Sequence, residues 1–463
     1  SLYTRLALLG SEKLSAPTQT WAPAPAVQIS DEQTDAVNAV LRHPVTCITG
    51  GPGTGKTSVI ASVIKALLAS DPDLRPEHFA LAAPTGKAAA RMTEAIHTRL
   101  QASTSLPEIA KATTLHRLLK IRDDVGNPGF NLYRPLPARV VIVDEASMVG
   151  LDLMHALLQA LKPLSRLVLI GDADQLPSVS SGAVFRDWVR MGSEPTPDPP
   201  AHPIQVQKLT RNFRTNVDDL IALIEGIRHD APDAWLAAHH ATTSCTAPKA
   251  AQVCRLEEDA LSDHLQTQWD EHYLKLRDIA QKAAMEEDRD ALIQEGFALL
   301  SERMLLCAVN HGQAGTEGLN QGFRDRLHGG KRDPLGEPLM VVRNDYSRRL
   351  FNGELGFTLQ LPYNGHLTRM AVFVGTDHYR YFPAASLGTL VEPAYAITVH
   401  KSQGSEYTHV TLVLPPEPVQ PVCKEWLYTA VTRARNSLTL CGKEAVLAHA
   451  WTTPLSRLTG KMS

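Results

Sequence analysis

Residues Gly50 to Thr57 read GGPGTGKT, a G-x-x-x-x-G-K-[ST] string set between the apolar run Val45 to Thr49 and a helix-patterned stretch from Thr57 to Ala69. No other feature constrains the fold as tightly. A strand must turn through glycines into a helix N-terminus for successive backbone N–H groups to face one phosphate. Gly53 and Gly55 let the backbone close around phosphate oxygens, Lys56 neutralises the β and γ phosphates, and Thr57 ligates magnesium. Gly51, Thr54 and Ser58 complete the nucleotide-binding set of ATP and Mg2+.

Around this loop, strand-like runs (Val45 to Thr49, Phe79 to Ala83, Val140 to Val143, Leu167 to Ile170) alternate with helical stretches (Asp31 to Leu41, Thr57 to Ala69, Lys87 to Leu100, Leu151 to Leu161). Such alternation predicts an α/β fold with a parallel sheet flanked by helices. A chain of 463 residues has room for about three domains at ~150 residues each. WAPAPAV, Trp21 to Val27, denies a helix and reads as an arm over residues 1–28. The first domain is expected over 29–203, ending in the proline-rich EPTPDPPAHP, with Gln205 to Leu209 as the first strand of a second unit over 204–338. Val217 to Glu302 reads mainly as charged amphipathic helix. Short strands over 339–390, broken at Asn352-Gly353, Asn364-Gly365 and Pro383, predict a small β-barrel inserted in that unit, which resumes over 391–463.

The longest apolar runs are strand-length, far short of the ~20 residues a membrane span needs, so no membrane association is expected and the chain reads as cytoplasmic. Six cysteines without a CxxC pair predict reduced, mostly buried thiols, with neither a zinc site nor a disulfide framework. A net charge of -3 counts against a broadly basic nucleic-acid surface. It leaves room for a motor that grips a single strand in a narrow groove lined by hydrogen-bonding groups.

Two further strand ends carry chemistry. VVIVDE, Val140 to Glu145, puts Asp144 and Glu145 at the carboxyl edge of the sheet, beside the phosphate loop if their strands are neighbours. Asp144 then holds magnesium, directly or through water, and Glu145 orients and deprotonates the attacking water. In LIGDADQLPSV, Leu169 to Val179, Gln175 can touch both a γ phosphate and a nearby water.

ISDEQTDAV (Ile29 to Val37), GGPGTGKT, LAAPTGKAAARM (Leu81 to Met92), TLHRLL (Thr114 to Leu119), VDEASM (Val143 to Met148), GDADQLPSV, LTRNFR (Leu209 to Arg214), TVHKSQGSEY (Thr398 to Tyr407) and YTAVTRAR (Tyr428 to Arg435) stand in the order of superfamily 1 helicase motifs. PTGKAAARM, TLHRLL, VDEASM and TVHKSQGSE, with LLCAVNHGQAGTEGLN and LFNGELG, resemble the RecD family, the alpha subunits of exodeoxyribonuclease V. The resemblance runs from about residue 29 to the C-terminus.

It implies two tandem RecA-like domains, an SH3-like barrel in the second, ATP in the cleft between them, and 5' to 3' movement on single-stranded DNA. It also implies RecB- and RecC-like partners docked through an N-terminal domain. Only 28 residues precede the first motif, so most of that domain is expected to be missing here. By the same resemblance Gln33 reads adenine, Glu406 contacts ribose, and Arg214 and Arg433 are arginine fingers. Thr85, Thr114, His116, His400 and Ser402 line the strand track, and residues 121–137 carry a small hairpin near the point of strand separation. No nuclease constellation stands out.

Other readings are an ATPase subunit, stimulated by DNA, that does not unwind alone, and an RNA-directed motor of the same superfamily. Arg433→Ala is expected to leave folding intact and to raise the barrier by roughly 3 to 7 kcal/mol. Lys56→Ala is expected to abolish hydrolysis, and Glu145→Gln to retain ATP binding while blocking turnover. Nucleotide binding and phosphate release measured on each variant check both.

Overall fold

The apolar run after Pro44 becomes β1 (Val45–Gly50), buried at every position as befits a central parallel strand. The computed structural model describes residues 5–6, 8–9, 20–23, 29–101, 111–121, 128–177, 182–193, 204–213, 217–245, 252–286, 288–331, 334–345, 347–375 and 378–455. Packing divides the chain into Ser1–Arg214 with Ser456–Ser463, and Thr215–Leu455. The expected proline-rich loop at 194–203 and Arg214 lie outside the described residues.

In the first unit β1 is joined by β2 (Phe79–Ala83), β3 (Thr113–Thr114), β4 (Val140–Val143), β5 (Arg166–Gly171) and β6 (Gln205–Leu209). The order is β3-β2-β4-β5-β1-β6, and every pair is parallel. Helices α1 (Asp31–Arg42), α2 (Lys56–Ser70), α3 (Gly86–Gln101), α4 (Leu115–Leu118), α5 (Leu151–Ala160) and α6 (Val184–Ser193) accompany it. Successive strand residues point to opposite faces, and each face has its own core. Ile48, Ile142 and Val168 pack with Val40 of α1 and Ile60 of α2. Cys47, Val141 and Leu167 pack with Leu157 of α5 and Trp188 of α6.

One expectation is corrected here and two others are made specific. Gln205–Leu209 does not open the second unit: it lies parallel to β1, from Thr46↔Gln205 to Gly50↔Leu209, because its ladder partners are in the first sheet. β4 is not β1's neighbour, since β5 runs between them. The arm is fastened at its described points. Trp21 N donates to Asn38 Oδ1 (2.9 Å), Asn38 Nδ2 returns a bond to Trp21 O (3.1 Å), and Leu6 and Leu9 are buried in the second of those cores. Around the expected hairpin, Asn131 and Arg134 form one antiparallel bridge that leaves Tyr133 95% exposed at the turn, while 122–127 lie outside the described residues.

The second unit begins with α7 (Asp218–Arg228), α8 (Pro232–Ala238), β7 (Ala241–Thr242), β8 (Val253–Leu256), α9 (Leu261–Gln268), α10 (Asp270–Ala283) and α11 (Asp290–Glu302). The span expected to be mainly helical thus contains two strands. They close the edge of a parallel sheet, β15-β9-β16-β17-β8-β7, with β9 (Arg303–Cys307), β15 (Ala396–Thr398), β16 (Tyr407–Val413) and β17 (Ala434–Cys441). Helices α12 (Thr316–His328), α13 (Lys424–Val431) and α14 (Glu444–Thr452) complete it. Pairing of β7 with β8 brings Cys245 beside Cys254, and the two are joined as a disulfide, correcting the expectation of reduced thiols. Cys47, Cys307, Cys423 and Cys441 are free and buried.

Between β9 and β15 the chain forms an antiparallel sheet in the order β13-β12-β11-β10-β14, from β10 (Pro338–Val341), β11 (Leu355–Tyr363), β12 (His366–Val374), β13 (Tyr379–Pro383) and β14 (Val391–Pro393). Its hairpin turns at Asn364 (φ 50°) and Gly365 (φ 79°), the left-handed pair that a two-residue turn requires. Among the described residues no pairing of β13 with β14 closes the sheet into a barrel. No helix among them is long and apolar enough to cross a membrane.

Glu337, fully buried just before β10, anchors the inserted sheet. Arg324 of α12 grips both its carboxylate oxygens through Nε and Nη2, and its own N–H donates to Thr358 Oγ1 at 2.9 Å. Losing Glu337 strands the Arg324 guanidinium, whose side chain is 22% exposed and so partly hydrated, at a cost of about 1–3 kcal/mol. Glu337→Ala is therefore expected to destabilise the second unit by that amount in chemical denaturation.

Candidate active site

The phosphate loop leaves β1 at Gly50 and passes through Gly53 (φ 82°) and Gly55 (φ 78°), values that L side chains avoid, before α2 begins at Lys56. A Cβ on Gly55 would collide with the Gln33 amide. Thr54, 3% exposed, donates its hydroxyl to Gly51 O at 2.8 Å and tightens the turn. Lys56 Nζ rests on the carbonyls of Gly50 (2.8 Å) and Gly51 (3.0 Å). Thr57 and Ser58 follow in the first turn of α2, half-buried. The glycine conformations, the helix N-terminus and a lysine held on the loop by carbonyls together suit a nucleotide polyphosphate.

Gln33 starts α1 within a capping box: Ser30 Oγ accepts from Gln33 N, and Gln33 Oε1 accepts from Ser30 N at 3.0 Å. Its Nε2 donates to Thr54 O at 3.0 Å, so the side chain expected to read adenine also ties α1 to the phosphate loop. Its neighbour Glu32, which sequence reasoning passed over, accepts from Thr210 N (2.8 Å), Arg211 N (3.2 Å) and the Thr210 hydroxyl. Burial pushes the Glu32 carboxyl up, but these hydrogen bonds and the Arg211 charge outweigh it and hold the group below its ordinary value. Phe213 N donates to Gly53 O at 2.9 Å. The described part of LTRNFR is therefore fastened to the phosphate loop and to α1.

One strand beyond β5, β4 delivers Asp144 and Glu145 to the same carboxyl edge. Burial, then the Glu145 charge, push the Asp144 carboxyl up to about 7, against the opposing pull of the Glu145 N–H and of Lys56. A cation at this spot would relieve that strain, so the pair fits a metal-assisted site. Glu145 sits in the left-handed region (φ 52°, ψ 38°), a conformation that costs roughly 1–3 kcal/mol for a side-chain-bearing residue and gathers at functional sites. Gln175, 6% exposed, donates to Asp172 Oδ2 at 2.8 Å, and Asp172 is 1% exposed at the end of β5. Asp172, a second residue not picked out from sequence, thus orients Gln175.

The strand-track residues divide by role. Thr85 accepts from Ala88 N at 3.2 Å and Thr114 from Arg117 N at 3.2 Å, so each caps a helix start. His116 is exposed and His400 is half-buried. Ser402 is fully buried and donates to Val399 O at 2.7 Å, so its hydroxyl braces a turn and does not face solvent.

In the second unit Arg433 is 3% exposed and fully engaged. Nε donates to Thr429 O (2.9 Å), Nη1 to Ser405 O (2.9 Å) and Nη2 to Thr432 Oγ1 (3.2 Å). The arginine expected to act as a finger without a part in folding therefore also joins the TRAR and SQGSEY segments. Glu406, expected at the ribose, pairs with Arg435 at 3.1 Å.

Two family models match the chain: an AAA domain over residues 33–181 and a UvrD-like helicase C-terminal domain over 393–441. With the phosphate loop and the acidic strand end, they define an ATP-hydrolysing helicase of superfamily 1. The RecBCD enzyme subunit RecD of Mycolicibacterium smegmatis is 36% identical over 449 residues, 93% of this chain and 74% of that one. The ATP-dependent RecD2 DNA helicase of Deinococcus radiodurans is 28% identical over 447 residues, 93% of this chain and 50% of that one. The chain belongs to the RecD family, whose class is the ATP-dependent DNA helicase. A crystal structure of Bacteroides Pif1 bound to single-stranded DNA aligns over 89% of this chain and 92% of that one, at 18% identity and a TM-score of 0.46.

Arg433→Ala removes the guanidinium's bonds to the carbonyls of Thr429 and Ser405 and to the Thr432 hydroxyl, at a cost of about 1–3 kcal/mol. The expectation of intact folding is revised accordingly: thermal denaturation followed by circular dichroism should show a lowered midpoint as well as lost turnover.

Proposed function

We propose that the chain is a single-strand DNA translocase and helicase that moves 5' to 3', the motor subunit of a RecBCD-type complex acting in DNA-break repair and recombination in the cytoplasm. The observation that carries the reading is the carboxyl edge of the first sheet. There the glycine loop, Lys56, the Asp144–Glu145 pair and Gln175 all emerge from strand ends of one sheet.

In this reading Thr57 and Asp144 would hold Mg2+, which would supply neutralisation of phosphate charge. Lys56 exchanges its two carbonyl partners for phosphate oxygens. Glu145, kept out of regular structure by its left-handed backbone, takes a proton from the attacking water. Gln175, steered by Asp172, reports whether a γ phosphate is present. Gln33 turns its remaining amide hydrogen to adenine, and Glu406 reaches ribose by leaving Arg435. Arg214 and Arg433 stabilise charge on the transferring phosphoryl group, so Arg433 must first release its two carbonyls and the Thr432 hydroxyl.

Thr85, Thr114, His116 and His400 contact strand phosphates through hydroxyls, rings and the backbone amides at the helix starts they cap. Such contacts need no net positive charge, in keeping with a chain of net charge -3. Ser402 acts by holding the turn that carries His400. RecB- and RecC-like subunits are the partners proposed, because the relative from M. smegmatis carries the name of a RecBCD subunit.

Steady-state ATP hydrolysis with and without a single-stranded DNA oligomer, and with an RNA oligomer of the same sequence, tests the proposal. Strong stimulation by DNA alone, followed by unwinding of a duplex with a 5' tail, is the expected outcome. Stimulation without unwinding moves the chain to an ATPase subunit that needs its partners, and an equal response to RNA moves it to the RNA-directed motors.

A further inference from the structure

Parallel strands covered on both faces normally carry apolar side chains throughout. The sheet of the second unit breaks this rule over part of one face. Arg303, His409 and Ser437 stand in one register row across β9, β16 and β17, through His409↔Arg303 and His409↔Ser437. Two residues on, Thr411 is in register with Thr439, and Thr439 with Cys254 of β8. Residues two apart on a strand share a face, so these polar groups form one strip.

Helix α9 lies over it. His264 Nε2 is 3.4 Å from Thr411 Oγ1, and Arg303 Nη1 donates to Gln268 O at 2.8 Å. The strip and the helix border a small cavity of about 30 Å3, with the Cys245–Cys254 pair in its wall. That volume is far below the range of drug-sized ligand pockets and suits only a small ion.

The chemistry of the wall is one-sided. It offers a guanidinium, two imidazoles, three hydroxyls and two amides, and among the described residues no carboxylate lines it. His264, Thr411 and Ser437 are more than nine-tenths buried, at 8%, 4% and 8% exposure, where an ungratified polar group is costly. His409 Nδ1 is 2.7 Å from Ser437 Oγ, which leaves its Nε2 without a partner among the described residues. Arg303 Nε meets Glu302 at 3.2 Å, outside the cavity wall, and its Nη2 has no partner among the described residues. Burial and the Arg303 charge hold both imidazoles below their ordinary range, so each is neutral at neutral pH and keeps a single N–H.

We propose that this cavity binds a small dissolved oxyanion of the phosphate class, at a site separate from the nucleotide loop of the first unit. Arg303 supplies the charge, and the His409–Ser437 and His264–Thr411 pairs, each spending one of its two hydrogens within the pair, supply one further donor apiece. Phosphate suits donors arriving from two strand rows and a helix because it offers four oxygens, where a carboxylate offers two. Free phosphate and the terminal phosphate of a nucleic acid share this chemistry, and the size of the cavity favours the free ion.

The test follows the ring signals of His264 and His409 by NMR in the full chain, during titration with inorganic phosphate against chloride at matched ionic strength. A saturable shift of both is expected. Binding should weaken by about tenfold or more in Arg303→Gln, as for loss of a charge-assisted hydrogen bond, and by less in Thr411→Val, which keeps the shape of the wall. No saturable shift in the unaltered chain overturns the proposal. So does a curve unchanged in Thr411→Val even if Arg303→Gln fails to fold. A shift produced by an oligonucleotide bearing a 5' phosphate, and not by inorganic phosphate, overturns the assignment to a free ion.

Discussion

Backbone amides that must converge on a phosphate cannot also be spent in helix or sheet ladders, so a phosphate loop has to be held in shape from outside. Much of the first unit serves that need. Gln33 ties Thr54 to the start of α1, Phe213 ties Gly53 to the segment after β6, and the Thr54 hydroxyl closes the loop on Gly51. The capping box that starts α1 orients Gln33, and Glu32 beside it secures Thr210 and Arg211. A change at any of these points would reach the nucleotide through the loop, including at residues that touch no ligand.

The two cations proposed for turnover share a trait within their own units. Lys56 and Arg433 are both held on backbone carbonyls, Lys56 by two and Arg433 by two carbonyls and a hydroxyl. Carbonyl dipoles satisfy a buried cation, but a phosphate satisfies it better because charge meets charge. A side chain held in this way is stable without ligand and ready to exchange partners. Asp144 shows the complementary condition: burial and Glu145 strain an acid that a cation would settle. The groups assigned to turnover are thus spring-loaded by local electrostatics, while Arg324 and Glu337, paired oxygen for nitrogen, are fixed and structural.

Much of this was legible in the chain itself. β2 and β4 begin and end where the apolar runs do, α1 starts at the Ser30 cap, and the Asn364-Gly365 hairpin falls at its turn dipeptide, because each depends on neighbours within a few residues. The RecD resemblance held because its motifs are contiguous strings. What escaped reading depends on distant partners. Gln205–Leu209 looks like a new beginning after a proline-rich stretch, yet its ladder partner β1 lies some 160 residues earlier, and no local pattern announces that. Glu32 and Asp172 were missed because their value lies in what they hold, Thr210 and Gln175, and not in their own chemistry. Cys245 and Cys254 are brought together by the pairing of β7 with β8, a contact that nine-residue spacing does not signal.

The sequence by itself determined the class of machine: a glycine loop between strand and helix, an acidic strand end and an ordered set of helicase motifs, all encoded by short-range geometry. Only the tertiary structure decided how those parts are held. It placed β5 between the phosphate loop and the Asp144–Glu145 pair, turned Ser402 inward, and set Arg433 on the carbonyls of its own unit. Strand order and burial are settled by which surfaces pack together across long stretches of chain, so they come into being only when the whole unit folds.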